Sequence, residues 1–218
     1  MNLHALIAQG EHQQQDFKYK IEDAAKLARS VSAFANTDGG RLLIGVRDDG
    51  RITGVAGEEE IFMMQTAASR YCLPAVKVDF ETVHAEGRTV VICTVPKSQQ
   101  RPIAALDDIV IDPQTGVVQP VGRPTAYIRI DDENIVASPV LLAIWRAEGS
   151  PLGQVVSFSQ TEQQVLQILS LQPWLTLNQL VRQAHAPRRK VVAALANFIR
   201  YGLVEWAFRE RQFCFSQL

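Results

Sequence analysis

Cysteine is scarce in this chain of 218 residues, and the three that occur, Cys72, Cys93 and Cys214, lie far apart. There is no C-x-x-C pair, so the sequence indicates neither a disulfide framework nor a zinc ribbon, and we expect buried free thiols. Long apolar runs are also missing, since no stretch approaches the roughly 20 residues that a membrane helix needs. The first ten residues lack the charged start and apolar segment of a signal peptide. These absences predict a soluble, cytoplasmic protein with no membrane partner.

Net charge is almost absent as well, at -1, but the charges are unevenly distributed. Residues 151–218 hold seven Lys or Arg against three Asp or Glu, whereas residues 1–150 hold fifteen against twenty. The basic C-terminal part suits contact with nucleic acid, although domains that bind none often carry a similar charge. Hydrophobic residues make up 47% of the chain, enough for one full core and a second, smaller one.

The most informative stretch is residues 29–55, in which three local structures follow one another with no linking residues between them. A helix over residues 23–35 places Leu27, Val31 and Phe34 on one face. The sequence N-T-D-G-G then favours a helix end. An apolar run predicts a buried strand over residues 41–46, and D-D-G predicts a turn into a second strand at 52–55. The stretch therefore predicts a helix, a glycine turn and a β-hairpin.

A second motif, E-H-Q-Q-Q-D-F-K, lies upstream at residues 11–18. Side chains alternate along a strand, so Asp16 and Lys18 would share one face. Together, E-x-x-x-x-D-F-K and S-A-F-A-N-T-D-G-G-x-L-x-I-G-V-x-D-D-G-x-I-x-G-V resemble the Schlafen-type AlbA-like domain. The resemblance is closest over residues 10–55 and extends to about 147, through later landmarks at Pro96-Lys-Ser, Arg101-Pro102 and Ala126-Tyr-Ile-Arg129.

The resemblance implies an α+β fold, a mixed sheet with packed helices, and membership of a group of bacterial proteins labelled DNA-binding or transcriptional regulators. Hydrophobic patterning predicts further elements: helices at 2–9, 61–71 and 139–147, strands at 76–81, 89–95 and 127–130, and a hairpin formed by 109–111 and 117–118.

Residues 148–153, E-G-S-P-L-G, are the best linker candidate and predict two domains, 1–148 and 154–218. The second domain is predicted to contain helices at 161–171, 177–184 and 187–201, followed by two strands within 203–215. Three helices followed by a hairpin is the order of a winged helix-turn-helix domain.

Glu11, Asp16 and Asp48, with Lys18, form the sharpest candidate site. The resemblance implies that these carboxylates match the acidic triad of Schlafen nucleases, which cleave structured RNA, and clustered carboxylates suit Mg²⁺ or Mn²⁺. In the family a glutamate usually precedes the phenylalanine, whereas this chain has the shorter Asp16. Alternatively, Glu11 and Asp16 cap or pair with Lys18 and Arg47, and Asp48 is only a turn residue.

The segment N-T-D-G-G at residues 36–40 has two interpretations. It could cradle a phosphate, or it could be a helix C-cap and tight turn, which we favour. The chain contains neither G-x-x-x-x-G-K-[ST] nor G-x-G-x-x-G, so the two common phosphate-binding loops are absent from its sequence.

Basic residues on both predicted domains are candidate nucleic-acid contacts. In the second domain, Arg188, Arg189 and Lys190 open the third helix, where winged helices present side chains to the major groove. The others are Lys18, Arg41, Arg47 and Arg51 in the first domain, Arg182 on the second helix, and Arg209 and Arg211 on the wing. Alternatively, the winged helix serves only dimerisation.

We therefore predict a nucleic-acid-binding protein, most simply a DNA-binding transcriptional regulator. The alternative is a divalent-metal-dependent endonuclease acting on RNA or single-stranded DNA through Glu11, Asp16 and Asp48. A third interpretation is a protein-interaction module that touches no nucleic acid. The resemblance also implies a homodimer, because Schlafen cores join two such lobes and this chain has one.

Overall fold

The computed structural model describes residues 2–151 and 157–218. They divide into two compact units, Met1–Ala137 and Ser138–Leu218. The division lies upstream of the boundary predicted at residue 148, and residues 152 and 153 of the predicted linker lie outside the described residues.

The first unit mixes helices and strands, which confirms the predicted α+β class. In chain order it comprises α1 (Leu3–Ile7), β1 (Gln15–Lys18), α2 (Ala24–Asn36), β2 (Gly40–Ile44), α3 (Glu58–Arg70), β3 (Cys72–Leu73), β4 (Asp79–Ala85), β5 (Arg88–Val95), β6 (Ala104–Ala105), β7 (Asp108–Ile111), β8 (Val118–Val121), β9 (Thr125–Ile130) and β10 (Glu133–Val136).

A four-stranded sheet in the order β1-β2-β5-β4 carries the N-terminal motifs. Strand β1 runs parallel to β2, with Asp16 opposite Leu42, so α2 is the crossover between them. The other two pairs are antiparallel. The predicted hairpin partner at residues 52–55 is wrong, because β1 and β5 occupy both edges of β2 and only a single bridge joins Val46 to Ile52.

Strand β2 is buried on both faces, which explains its unbroken apolar sequence. Leu42 and Ile44 belong to the cluster that contains the apolar residues of α2 and α3. Leu43 points the other way and packs with Leu3 and Leu6 of α1. The sheet therefore lies between two apolar layers.

Helix α2 is attached to the second half of the unit by buried polar side chains. Ser32 Oγ donates to the carbonyl of Ile103 (2.8 Å) and accepts from the backbone N–H of Tyr127 (3.0 Å). Asn36 Nδ2 donates to the carbonyls of Ile103 (2.8 Å) and Tyr127 (2.9 Å), and Asn36 Oδ1 accepts from Ile103 N–H (2.8 Å). These bonds fix α2 against β9 and the segment before β6.

A second sheet has the order β10-β9-β6-β3, with antiparallel neighbours. Strand β10 was not predicted, since the sequence placed the last strand of this part at residues 127–130. The predicted hairpin forms as β7 and β8, which pair with each other. Its apolar residues Val110, Val117 and Val121 are 56%, 54% and 46% exposed.

The second unit has helices first and a β-hairpin last. It comprises α4 (Pro139–Ala147), α5 (Gln160–Leu171), β11 (Leu175–Thr176), α6 (Leu177–Gln183), α7 (Arg188–Arg200), β12 (Val204–Arg209) and β13 (Gln212–Gln217). The three strands form one sheet in the order β11-β13-β12.

Helix α4 belongs to this unit because of its packing. Ser138 caps it by accepting a hydrogen bond from Leu141 N–H at 3.2 Å, and Pro139 occupies its first turn. Val140, fully buried, joins the core formed by residues such as Leu195 and Phe198 of α7. Among the described residues, no helix combines the length and hydrophobicity needed to cross a lipid bilayer.

Candidate functional site

Two carboxylates of the predicted site meet where β1 begins. Asp16 is buried on β1, and Glu11 reaches the same place from the preceding turn, where its Oε1 accepts the N–H of Phe17 at 2.8 Å. Burial and a side-chain hydrogen bond with Asp16 raise the pKa of Glu11 to about 7, although the Phe17 N–H and the charge of Lys18 act in the opposite direction. A carboxylate with this raised pKa can gain or lose a proton near neutral pH.

Two cations flank the Asp16 carboxylate. Lys18 Nζ lies 2.6 Å from Oδ2, and Arg129 Nη2 lies 3.5 Å from Oδ1. The Asp16 side chain is only 5% exposed and that of Arg129 only 2%. A buried carboxylate is costly without such partners, so these contacts allow Asp16 to lie inside the fold.

Arg129 is the residue that sequence analysis missed at this site. It was noted only as part of a family landmark, yet its guanidinium donates to Asn134 Oδ1 (3.0 Å) and to the carbonyl of Gln15 (3.3 Å). It also lies over the ring of Phe34, with 5.2 Å between the guanidinium carbon and the ring centroid. The available signal was a lone arginine within the strand-forming sequence T-A-Y-I-R-I, which needs a partner only if its side chain faces the core.

Asp48 does not join Glu11 and Asp16. It is exposed in a turn closed by a hydrogen bond from Gly50 N–H to the carbonyl of Arg47 at 2.8 Å. Over residues 2–151 and 157–218, no three His, Cys, Asp or Glu side chains come together as a metal-ligand group.

The predicted three-carboxylate metal site is therefore not assembled in this structure. Glu11 and Asp16 supply two carboxylates, and Asp16 already has two cationic neighbours. One or two carboxylates can hold Mg²⁺ when waters and a substrate phosphate complete its coordination, but a metal ion here would have to compete with Lys18 and Arg129 for Asp16.

The N-T-D-G-G segment packs tightly against the protein and does not form an open loop. Gly39 has a φ of +70°, and a Cβ there would lie 2.9 Å from the carbonyl oxygen of Val95. A Cβ on Gly40 would lie 2.4 Å from the ring of Phe34. This close packing against Val95 and Phe34 explains why both positions are glycine.

The four basic candidates of the first unit differ in accessibility. Lys18 pairs with Asp16, and Arg41 Nε donates to Gln15 Oε1 at 2.7 Å. Arg47 is exposed and lies over the ring of Tyr19 at 4.6 Å, and the exposed Arg51 lies 3.5 Å from Asp49. Arg47 and Arg51 are therefore the accessible pair.

In the second unit, all six basic candidates are exposed: Arg182, Arg188, Arg189, Lys190, Arg209 and Arg211. Arg188 is held in place, because its Nη1 donates to Asn178 Oδ1 at 2.6 Å. Arg209 at the end of β12 lies over the ring of Trp174 at 3.5 Å. Sequence analysis missed both partners, Asn178 and Trp174, since each comes from a different element.

A search of curated proteins found no match to the chain. Solved structures similar to it include the following two. The DIP2311 protein of Corynebacterium diphtheriae shares 21% identity over 78% of this chain, with a TM-score of 0.45, and the chain spans 36% of that protein. The N-terminal domain of a protein from Nitrosomonas europaea, described as related to the ATP-dependent DNA helicase RecG, shares 16% identity, with a TM-score of 0.35. That similarity covers 72% of this chain and 95% of the domain.

The profile of a protein family described as Schlafen, AlbA_2 matches residues 11–138. The match covers more than half of the chain and includes both N-terminal motifs. The chain therefore belongs to the Schlafen AlbA_2 family.

Proposed function

We propose that this protein binds nucleic acid and acts as a DNA-binding transcriptional regulator, with the second unit as its duplex-binding part. The observation that carries the proposal is the basic triplet Arg188, Arg189 and Lys190, which is exposed at the start of α7. The element order after α4 supports it, because helix, strand, helix, helix and hairpin is the order of a winged helix-turn-helix domain.

Electrostatics favour the same surface. Residues 138–218 contain eight Lys or Arg and four Asp or Glu, and the triplet has no acidic residue beside it in sequence. Basic side chains that neutralise phosphates release counterions, which makes binding dependent on salt. The bond from Arg188 to Asn178 positions one of these guanidinium groups before DNA arrives.

The test compares two double variants by fluorescence anisotropy with labelled duplex DNA over a range of salt concentrations. We expect Arg188→Ala with Arg189→Ala to weaken binding at least about tenfold and to reduce the salt slope by about two. Arg123→Ala with Arg146→Ala removes the same charge from exposed positions elsewhere and should change binding less than about twofold. Equal losses in the two double variants would reject the triplet as the contact surface.

The second candidate function is the divalent-metal-dependent endonuclease that acts on RNA or single-stranded DNA. The contact of Glu11 with Asp16, beside Lys18, favours it, since a carboxylate with a pKa of about 7 is suited to proton transfer at neutral pH. Transfer RNA and single-stranded DNA are incubated with Mn²⁺ or with a chelator, and the product lengths are measured.

Cleavage that needs Mn²⁺ and is lost in Glu11→Gln would establish the nuclease and demote the regulator. Asp48→Ala is the informative companion variant. If it abolishes cleavage as well, Asp48 must move to the other two carboxylates when substrate or metal binds. Binding that is indifferent to chelator, with no product, would reject the nuclease.

We further propose that the protein is a cytoplasmic homodimer. The exposed apolar residues of the β7–β8 hairpin support this proposal, since large exposed apolar patches mark interaction surfaces. Light scattering at micromolar concentration should give twice the chain mass of 24.2 kDa. Val110→Lys with Val121→Lys should give a monomer, whereas Val136→Lys, which is exposed on β10, should not. A monomeric wild-type protein would refute the dimer.

A further inference from the structure

The second unit contains a polar pocket of about 550 Å³ beside the hairpin β12–β13. Its lining includes Trp174, Gln179, Arg209 and Gln212, with Arg182 near the end of α6. The volume is typical of small-molecule sites, but the lining is too polar for an apolar ligand. No residue of the α7 triplet or of the Glu11–Asp16 pair lines it, although Asn178, which accepts from Arg188, does.

An aromatic ring and a guanidinium form the floor of this pocket. The guanidinium carbon of Arg209 lies 3.5 Å from the ring centroid of Trp174, the distance of a stacked pair. Trp174 has a φ of 61°, a left-handed conformation that is rare for a bulky residue and concentrates at functional sites. The next residue, Leu175, lies in the core, whereas Trp174 lines the pocket.

The charge of the pocket favours an anion. Arg182 is exposed, and no acidic residue of the described part of the chain lies within ion-pair distance of it. Glu210 lines the pocket at the hairpin turn and partly opposes this charge. Two guanidinium groups against one carboxylate leave the pocket positive.

The side-chain chemistry points to a ligand with two parts, a flat base and a phosphate. The Arg209 guanidinium, backed by the indole, offers a flat surface on which a base can stack. Arg182 offers a donor fork for a phosphate. The amide of Gln212 offers both a donor and an acceptor to the edge of a base. A free sugar lacks the anionic group, and inorganic phosphate lacks the ring.

We propose that this pocket binds one nucleotide, with its base stacked on Arg209 and Trp174 and its phosphate on Arg182. A free nucleotide and the unpaired end of a nucleic acid strand both present this chemistry. This site goes beyond duplex binding by α7, because it recognises a base that is not paired.

The probes are deoxyadenosine 5′-monophosphate, inorganic phosphate, a short single-stranded oligonucleotide and a blunt duplex, titrated by calorimetry into the full chain. We expect saturable binding of the mononucleotide below about 1 mM and at least about tenfold weaker binding of phosphate. Tighter binding of the oligonucleotide than of the mononucleotide would identify a strand end as the source, and the reverse would identify free nucleotide.

Three variants test the assigned roles. Trp174→Gly removes the ring and suits the left-handed backbone, so the fold should persist, and nucleotide binding should fall at least about tenfold. Arg182→Gln should cause a similar loss. Glu210→Gln removes the opposing charge and should tighten binding about threefold.

Arg188→Ala with Arg189→Ala separates this site from the duplex surface. That variant should keep nucleotide binding while losing duplex binding, whereas Trp174→Gly should keep most of the duplex binding. No saturable binding of the mononucleotide, or equal binding by wild type and Trp174→Gly, would overturn the proposal.

Discussion

The buried amide of Asn36 allows the sharpest test of what holds the first unit together. Asn36→Ala removes both hydrogen bonds donated by Nδ2 to the carbonyls of Ile103 and Tyr127, and the bond that Oδ1 accepts from Ile103 N–H. The carbonyl of Ile103 still accepts a hydrogen bond from Ser32 Oγ. The two backbone groups that lose their bond to Asn36 without this replacement are the carbonyl of Tyr127 and the N–H of Ile103. At about 1–3 kcal/mol for each buried group left unpaired, we expect a loss of about 2–6 kcal/mol.

The positions of the tryptophans make this loss measurable in one unit at a time. Trp145, Trp174 and Trp206 all lie in the second unit, so their fluorescence follows the unfolding of that unit. Hydrogen exchange at the amides of α2 and β9 reports on the first unit. Gln14→Ala is the control, because Gln14 is exposed and its side chain donates only to the carbonyl of Asp38 at 3.0 Å.

The expected result is a loss of protection in α2 and β9 for Asn36→Ala, with the fluorescence transition in urea unchanged and little effect of Gln14→Ala. A loss of unfolding free energy below about 1 kcal/mol would refute the reasoning. It would mean that water satisfies the backbone groups that Asn36 had bonded, or that these groups find other partners at little cost.

Three further predictions concern the first unit. The raised pKa of Glu11 means that the free energy of unfolding falls as pH rises from about 4.5 to 7, because the folded protein then loses a proton that it holds more tightly than the unfolded chain does. Glu11→Gln should reduce the difference in unfolding free energy between pH 5 and pH 8, measured by urea titration, by up to about 1 kcal/mol. A variant as pH-dependent as wild type would contradict this. Gly40→Ala should cost about 1–3 kcal/mol in urea unfolding, since its Cβ would collide with the buried ring of Phe34, and a neutral effect would show that the ring moves freely. Burial raises the pKa of Cys72 and Cys93 to about 12, so both should resist a thiol reagent at pH 8 until urea unfolds the unit; rapid labelling of the native protein would oppose this.

The sequence predicted those helices and strands that are determined by neighbouring residues, through apolar spacing, caps and turns. The apolar spacing of residues 24–36 and the cap at Asp23, which accepts from Ala25 N–H at 2.9 Å, define α2 without reference to the rest of the chain. The same holds for α7 and for the hairpin β7–β8. Strands β3 and β6 are two residues long, and their pairing depends on partners far away in sequence, so no local periodicity marks them.

The site shows the same limit. Alternation along a strand predicted that Asp16 and Lys18 share a face, and the two side chains are in contact. Asp48 follows β2 by only a few residues, yet its turn carries it into solvent, and nothing in the local sequence fixes that direction. Arg129 comes from another sheet, so its role under Asp16 required the tertiary structure.

The attachment of α2 has a consequence for synthesis on the ribosome. Ser32 bonds to Ile103 and Tyr127, 71 and 95 residues further along the chain, and Ser30 bonds to Asn134, 104 residues further. The helix is thus made early, but its polar partners emerge only when most of the first unit has been translated. Until then its apolar and polar faces are open to chaperones, and such long-range closure slows folding. In a chain released before β10 has emerged, α2 would lack its partner Asn134 and would be exposed to the proteases of the cell.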